Sequence, residues 1–174
     1  MTRITFGGKD LFEGFGLICE TRRDVLAPAV YERNIHIPKR DGSYSPQGYY
    51  YEDREVELVC ASTVELSREQ VRELAYVLSG KKRLMLSDEG DKYYLAQLCD
   101  PSVIQHIGKK GTKHVLKFRC EPFAYGETVT EEIRNGVQRV RYKGTATAPV
   151  LIVLKNTSPS NATNILIQTT HHRP

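Results

Sequence analysis

The chain has 174 residues, 40% hydrophobic, 26% charged and 9% aromatic, which is typical of a soluble globular protein with room for one core and part of a second domain. Its formal charge of +4 is not concentrated in a dense basic block, which argues against a strong nucleic-acid binder. No run approaches the ~18 apolar residues of a membrane helix and we find no secretory signal, so we expect synthesis in a reducing cytoplasm and no membrane partner.

Two short strands are predicted near the N-terminus. Residues 2–6 alternate between apolar and polar side chains up to Gly7-Gly8, and residues 15–22 alternate in the same way. The apolar positions of the second run include Cys19. Ala27-Pro28-Ala29 then leads the chain into the next segment.

Residues 29–58 predict an extended β-hairpin arm. Asp41-Gly42 and Pro46-Gln47-Gly48 are turn signals, because glycine adopts the positive φ that chain reversals need. Limbs of about ten residues would reach roughly 30 Å, which is far for a body of this size. The tip is rich in Tyr and Arg and has few aliphatic residues, so it has little core of its own. We therefore expect the arm to lie against another subunit.

A core strand is predicted where the arm returns. Residues 55–61 follow a period-two pattern, which places the side chains of Val56, Leu58 and Cys60 on one face. This is the strongest period-two pattern in the chain. We expect it to contribute directly to the core.

One amphipathic helix is predicted at about residues 67–80. Ser67 and Gln70 form a capping-box pair, and Gly80 supplies a C-terminal stop. Apolar side chains between them recur at helical spacing and form one stripe. A single helix among strands packs on one face of a sheet.

Further strands are predicted toward the C-terminus, separated by turn signals. They cover residues 83–87, 92–98, 103–107, 113–120, 127–134 and 137–143. The last two flank Asn135-Gly136, a strong two-residue hairpin signal, and this hairpin at about 127–143 is polar on both faces. The elements together predict an α+β, mainly β class: a β-sandwich or split-barrel-like domain with one amphipathic helix and an extended β-hairpin arm.

The predicted domain covers residues 1–143. Residues 144–147 are typical of a linker, and residues 148–155 and 164–169 predict two more strands, too few for a domain on their own. We interpret residues 144–174 as a linker and the first strands of a truncated or vestigial second β-sandwich domain.

No catalytic, cofactor-binding or metal-binding constellation is found in the sequence, and we expect no enzyme activity. The four cysteines are widely spaced without a C-x-x-C, so we interpret them as core thiols. His106 and His114 lack the spacing of metal ligands. Asp88, Glu89 and Asp91 form a group of carboxylates, but a solvated turn explains them better than an acid–base pair.

The order of several motifs, rather than any single one, resembles a known family. The motifs are FGGKDLFEGFGLICE near the N-terminus, IHIPKRDGSY in the arm, a single helix ending in Leu78-Ser79-Gly80, a hairpin containing Asp91-Lys92-Tyr93-Tyr94, and FRCEPF at residues 118–123. Over residues 3–125 this order resembles the N-terminal domain of the distal tail proteins of long-tailed, siphovirus-like bacteriophages and prophages.

The resemblance implies a structural protein of the virion tail tip. In this family the N-terminal domains join into a hexameric ring, the hub, which links the tail tube to the baseplate or tail fibre and leaves a channel for DNA. The implied partners are other copies of the chain, the tail tube protein, a tail-associated protein of the tip, and receptor-binding or fibre proteins. The arm corresponds to the family's belt, which embraces the neighbouring subunit. The inter-subunit candidates are Ile35, Ile37, Arg40, Asp41, Gly42, Tyr44, Tyr49, Tyr50 and Tyr51.

A small β-barrel module that binds nucleic acid is the alternative. It rests on the basic balance of the chain and on the tyrosines at positions 49–51 as stacking platforms. Adjacent strand residues point to opposite faces, so at most two of these rings could share a surface. The structural role is therefore preferred.

Overall fold

The computed structural model describes residues 2–24, 27–31, 35–44, 50–62, 64–99, 104–107, 111–142 and 144–169. The chain divides into two compact units, Met1–Ile133 and Arg134–Pro174. This division lies upstream of the expected boundary at residues 143 and 144. Among the described residues, the first unit holds every helix and strand.

The first unit is mainly β, with two α-helices, which confirms the predicted α+β class. In chain order the elements are β1 (Ile4–Phe6), β2 (Lys9–Asp10), α1 (Leu11–Phe15), β3 (Leu17–Asp24), β4 (Val30–Tyr31), β5 (Ile35–His36), β6 (Ser43–Tyr44), β7 (Tyr50–Tyr51), β8 (Arg54–Ser62), α2 (Arg68–Val77), β9 (Lys81–Leu86), a 3₁₀ turn (Ser87–Glu89), β10 (Tyr94–Leu98), β11 (Ile104–Ile107) and β12 (Gly111–Cys120).

One antiparallel sheet dominates this unit and curls into a half barrel. Its strands lie in the order β2-β1-β9-β10-β12-β8-β3, and β11 also pairs with β12. The longest ladder joins β8 to β12. The last strand in the order, β3, lies next to the chain just before β1, where Thr2 and Cys19 exchange two backbone hydrogen bonds.

Alternate strand residues and both helices bury their side chains in a single core. On β8 the buried face is Val56, Leu58 and Cys60, as the alternation predicts. Within this core the rings of Phe6 and Phe118 pack together, with centroids 5.3 Å apart. The other buried apolar residues are Ile4, Leu11, Phe15, Leu17, Cys19, Leu66, Leu74, Val77, Leu78, Leu84, Leu86, Tyr94, Ala96, Leu116 and Cys120.

Helix α2 has the N-terminal cap that the sequence predicts. Ser67 Oγ accepts a hydrogen bond from Gln70 N at 3.2 Å, and Gln70 Oε1 accepts one from Ser67 N at 2.9 Å. Both bonds satisfy backbone donors that the first helical turn leaves without partners. Leu74 and Val77 are buried, so the apolar stripe faces the core.

Replacing Ser67 with alanine is expected to destabilise the protein by about 1 kcal/mol, because it removes the acceptor for Gln70 N. Ser67→Asp is the matched control, since aspartate is an equally good N-cap. Urea denaturation followed by circular dichroism measures both variants. Equal losses in the two variants would show that the cap contributes nothing specific.

A second helix, α1, was not expected from the sequence. Asp10 Oδ1 caps it by accepting a hydrogen bond from Phe12 N at 2.8 Å, and Gly16 ends it with a left-handed φ of +63°. The following strand therefore begins at Leu17 rather than at Phe15. Five residues are too few to show a helical period, so only the two end signals mark this helix in the sequence.

The hairpin expected at about 127–143 is not formed. The structure has no strand in residues 121–142 or 144–169, so the strands expected at 148–155 and 164–169 are not formed in the single chain. Asn135-Gly136 permits a tight turn, but its flanks are polar on both faces and have no apolar side to pack. Most described apolar side chains of the second unit stay exposed, with Leu151 and Leu166 each 88% accessible. Strands form only where they have a paired neighbour and a surface to cover.

Candidate assembly surface

The arm is a hairpin with two small antiparallel ladders of its own. β4 pairs with β7, and further along β5 pairs with β6. Neither ladder belongs to the half-barrel sheet. The paired residues are Val30 with Tyr51, Tyr31 with Tyr50, Ile35 with Tyr44, and His36 with Ser43. The chain reversal expected at Asp41-Gly42 thus lies between β5 and β6, while the second turn signal at 46–48 lies outside the described residues.

The tip of the arm is a tight turn with two left-handed residues. Gly42 has a φ of +81°, and Lys39 has a φ of +66°, which is uncommon for a residue with a Cβ. Arg40 N donates a hydrogen bond to Ile37 O at 3.2 Å and closes the turn. Arg40 and Asp41 are both exposed. The tip therefore presents two cations, Lys39 and Arg40, and one anion, Asp41, to its surroundings.

Behind the tip, the arm exposes apolar and aromatic side chains. Six of them are between 38% and 71% accessible, and none belongs to the core cluster. They are Val30, Tyr31, Ile35, Ile37, Tyr50 and Tyr51. Single exposed apolar residues are ordinary on a protein surface, whereas a group on one hairpin outside the main sheet is typical of a contact surface.

The root of the arm rests on the segment that follows β12. The rings of Tyr51 and Phe123 meet edge to face with centroids 5.0 Å apart. Nearby, Tyr125 stacks on Tyr93 at 5.5 Å, and the backbones of these two residues exchange hydrogen bonds of 2.8 and 2.9 Å. We call Glu121, Phe123 and Tyr125 the arm seat. It contacts the root of the arm through the Phe123 ring.

Charged side chains link the two strands from which the arm leaves. Arg22 of β3 contacts Asp88 Oδ2 at 3.2 Å and Glu89 Oε2 at 3.5 Å. Arg54 of β8 lies over the Tyr94 ring at 5.2 Å, and Tyr94 Oη donates to Glu89 Oε2 at 2.9 Å. Burial, followed by the Glu89 contact, raises the pKa of Tyr94, so its hydroxyl remains a donor. Asp88 and Glu89, which the sequence analysis interprets as part of a solvated turn, therefore bind the half-buried Arg22.

Within the arm seat, Glu121 accepts hydrogen bonds from Lys81 and Tyr125. The Lys81 contact, followed by that of Tyr125, lowers the pKa of Glu121 below its usual 4.5. A carboxyl with a lower pKa in the folded than in the unfolded protein stabilises the fold above its unfolded pKa. That contribution is lost as the pH falls through the folded pKa.

Acidification is therefore expected to lower the melting temperature more steeply in the wild type than in Glu121→Gln. The difference should develop below about pH 4.5, where the Glu121 carboxylate takes up its proton. Differential scanning calorimetry between about pH 7 and pH 3 makes the comparison. Parallel curves for the two proteins would contradict the role given to Glu121.

The structure places most of the sequence-predicted candidates on one hairpin. Ile35, Ile37, Arg40, Asp41 and Gly42 lie along its distal half. The backbone of Tyr44 lies in β6 opposite Ile35, and Tyr50 and Tyr51 form β7. Tyr49 lies outside the described residues. Tyr50 and Tyr51 are neighbours on one strand and so point to opposite faces, which does not give the shared stacking platform of a nucleic-acid binder.

A buried histidine on β12 contacts a neighbouring hydroxyl. His114 is buried beside the Thr112 hydroxyl, 2.9 Å from Nε2. In the part of the chain that the structure describes, no group of three or more His, Cys, Asp or Glu side chains could hold a metal ion. None of the described helices has the length and apolar character needed to cross a membrane.

Comparisons with known proteins concern the fold. No family model and no curated protein matches the sequence. Among solved structures, the crystal structure of the SPP1 Dit (gp 19.1) protein is similar, with a TM-score of 0.61 and 19% sequence identity over 73% of this chain and 53% of that chain. That protein is described as a paradigm of the hub adsorption apparatus in phages that infect Gram-positive hosts. The chain spans about half the length of SPP1 Dit, and over that part it has a similar fold.

Proposed function

We propose that this protein is a non-enzymatic structural component of a bacteriophage tail, made in the host cytoplasm and built into the virion at the distal tail tip. Copies join into a hexameric ring, a hub that links the tail tube to the baseplate or tail fibre and leaves a channel for DNA. The observation that carries the proposal is the arm. It lies outside the main sheet and exposes apolar and aromatic side chains, on a fold similar to that of a phage hub protein.

A protruding arm is suited to closing a ring. When each copy reaches to the next through a head-to-tail contact, the contact repeats until the ring closes. Specific interfaces bury at least about 1,000 Å² in total, and tyrosine and arginine are enriched where binding energy concentrates. The proposed contact residues are Ile35, Ile37, Arg40, Asp41, Gly42, Tyr44, Tyr49, Tyr50 and Tyr51.

The other proposed partners are the tail tube protein, a tail-associated protein of the tip, and receptor-binding or fibre proteins. We place the second β-sandwich domain of the sequence analysis in residues 144–174, as its linker and first strands. The exposed apolar side chains around Leu151 and Leu166 support this assignment, because such runs form strands once partner strands cover them. DNA passes through the ring and is not a ligand.

Light scattering and negative-stain microscopy of the purified full chain test the ring. We expect a mass of about six subunits, or mass that rises with concentration, and annular particles. A strict monomer at the highest accessible concentration would overturn the proposal. Filter binding of DNA at low and high salt gives an independent test: tight, steeply salt-dependent binding would favour the nucleic-acid-binding alternative.

A further inference from the structure

Two buried cysteines lie directly opposite each other on neighbouring strands, Cys19 on β3 and Cys60 on β8. The backbone N–H and C=O of Cys19 are both bonded to Thr2, at 3.0 and 3.1 Å. In an antiparallel ladder both groups of a residue point to the same side, so neither points to β8. Cys19 and Cys60 are therefore a non-hydrogen-bonded pair.

This kind of pair brings side chains close together. Its Cα atoms are about 4.5 Å apart, which lies within the range of about 4.4–6.8 Å that disulfides span. Cys19 is 2% and Cys60 0% accessible, and both side chains belong to the same core cluster.

We propose that Cys19 and Cys60 are a redox-modification site, forming an intrachain disulfide when the protein meets a thiol oxidant such as glutathione disulfide. The Cys19 thiolate attacks one sulfur of glutathione disulfide, whose S–S bond breaks and releases one glutathione thiolate. The Cys60 thiolate then attacks the Cys19 sulfur of the mixed disulfide and releases the second glutathione. The two protein thiols lose two protons and two electrons, and one glutathione disulfide is reduced to two thiols.

The position of the pair decides what the bond would do. Residues 20–59 lie between the two cysteines, so the bond closes a loop that contains the whole arm, including β4 to β7. It ties together the two strands from which the arm leaves. The disulfide would therefore fix the base of the arm covalently without involving its exposed surface.

Burial also explains why the two thiols stay reduced until β3 separates from its neighbours. The contact with Cys19, followed by burial, raises the pKa of Cys60, so its reactive thiolate is scarce in the closed structure. β3 is the last strand of the sheet order, and beyond it Cys19 is covered by the single bridge to Thr2. Oxidation should therefore be slow, and it should accelerate in mild denaturant that loosens this edge.

The test uses the full chain carrying Cys99→Ser, which removes an exposed thiol able to link two molecules. The protein is incubated with glutathione disulfide, its remaining thiols are alkylated, and unreduced peptides are mapped by mass spectrometry. We expect a Cys19–Cys60 linked peptide, two hydrogens lighter than the reduced pair. We also expect the melting temperature to rise by roughly 5 to 15 °C and to return after reduction.

Two variants in the same background complete the experiment. Cys19→Ala should lose both the linked peptide and the thermal shift, while Cys120→Ala, which removes another buried thiol, should keep both. If Cys19→Ala does not fold, the peptide map of the parent protein decides alone. Full alkylation of Cys19 and Cys60 after oxidation, or a bond between other cysteines, would overturn the proposal.

Discussion

Replacing Ile35 and Ile37 together with aspartate is expected to weaken assembly at least about 100-fold while each subunit keeps its fold. Both side chains are exposed in the single chain, at 41% and 38%, so folding loses little when they change. In the proposed ring each position would be buried against a neighbour, where lost apolar burial and desolvation of an unpaired carboxylate together cost about 1.5–3 kcal/mol. Two such losses at one contact exceed about 3 kcal/mol, which corresponds to at least ~100-fold in affinity.

Sedimentation velocity over a concentration series measures the weakened assembly, and far-UV circular dichroism reports on the fold. The control is Tyr76→Asp, which replaces one exposed apolar side chain by aspartate on α2, outside the arm, at a position that is 78% accessible. We expect this control to assemble like the wild type. Deleting residues 39–48 should abolish assembly with sheet and helix intact. Normal assembly of the double variant would remove the arm from the interface.

Replacing Phe118 with alanine is expected to destabilise the protein by about 3–5 kcal/mol. The ring is fully buried in β12 and packs on Phe6, so truncation leaves a cavity that the sheet cannot close. Globular proteins have a total stability of about 5–15 kcal/mol, so this single change removes a large share. The melting temperature should fall by roughly 6 to 20 °C.

Thermal and urea denaturation of the purified variant measure this loss. Phe123→Ala is the comparison, because Phe123 is 37% exposed in the arm seat and belongs to no buried layer. We expect it to lose about 1 kcal/mol or less. Similar losses in both variants would mean that the interior of the half barrel does not dominate stability.

Local patterns predicted the elements whose signals are local. Strict alternation gives the buried face of β8, since every second side chain of a strand points the same way. Ser67 and Gln70 mark the start of α2, because a cap is completed within three residues. Asp41-Gly42 marks a chain reversal for the same reason. Each of these features depends on near neighbours alone.

Features that depend on distant residues could not be predicted. Arg22 meets Asp88 and Glu89 across 66 and 67 positions of sequence, and nothing near either partner indicates the contact. The ring contact of Tyr51 with Phe123 at the arm seat also joins residues that are far apart in the sequence. At Asn135-Gly136 a hairpin was predicted that the structure does not contain. A favourable turn does not form a hairpin when its flanking residues have no surface to cover. The hexamer and the nine candidate contacts remain predictions, because both depend on other chains.

In the part of the chain that the structure describes, the curled sheet encloses a packed core and no open bore. Phe6 and Phe118 fill its interior together with the buried leucines of four strands, as side chains do in small barrels. A nucleic acid cannot thread a subunit of this kind. In the proposed ring, the passage would instead surround the rotation axis, and polar outward faces of the sheet or arm would form its wall. The number of copies in the ring, rather than the width of the half barrel, would then set the diameter of the passage.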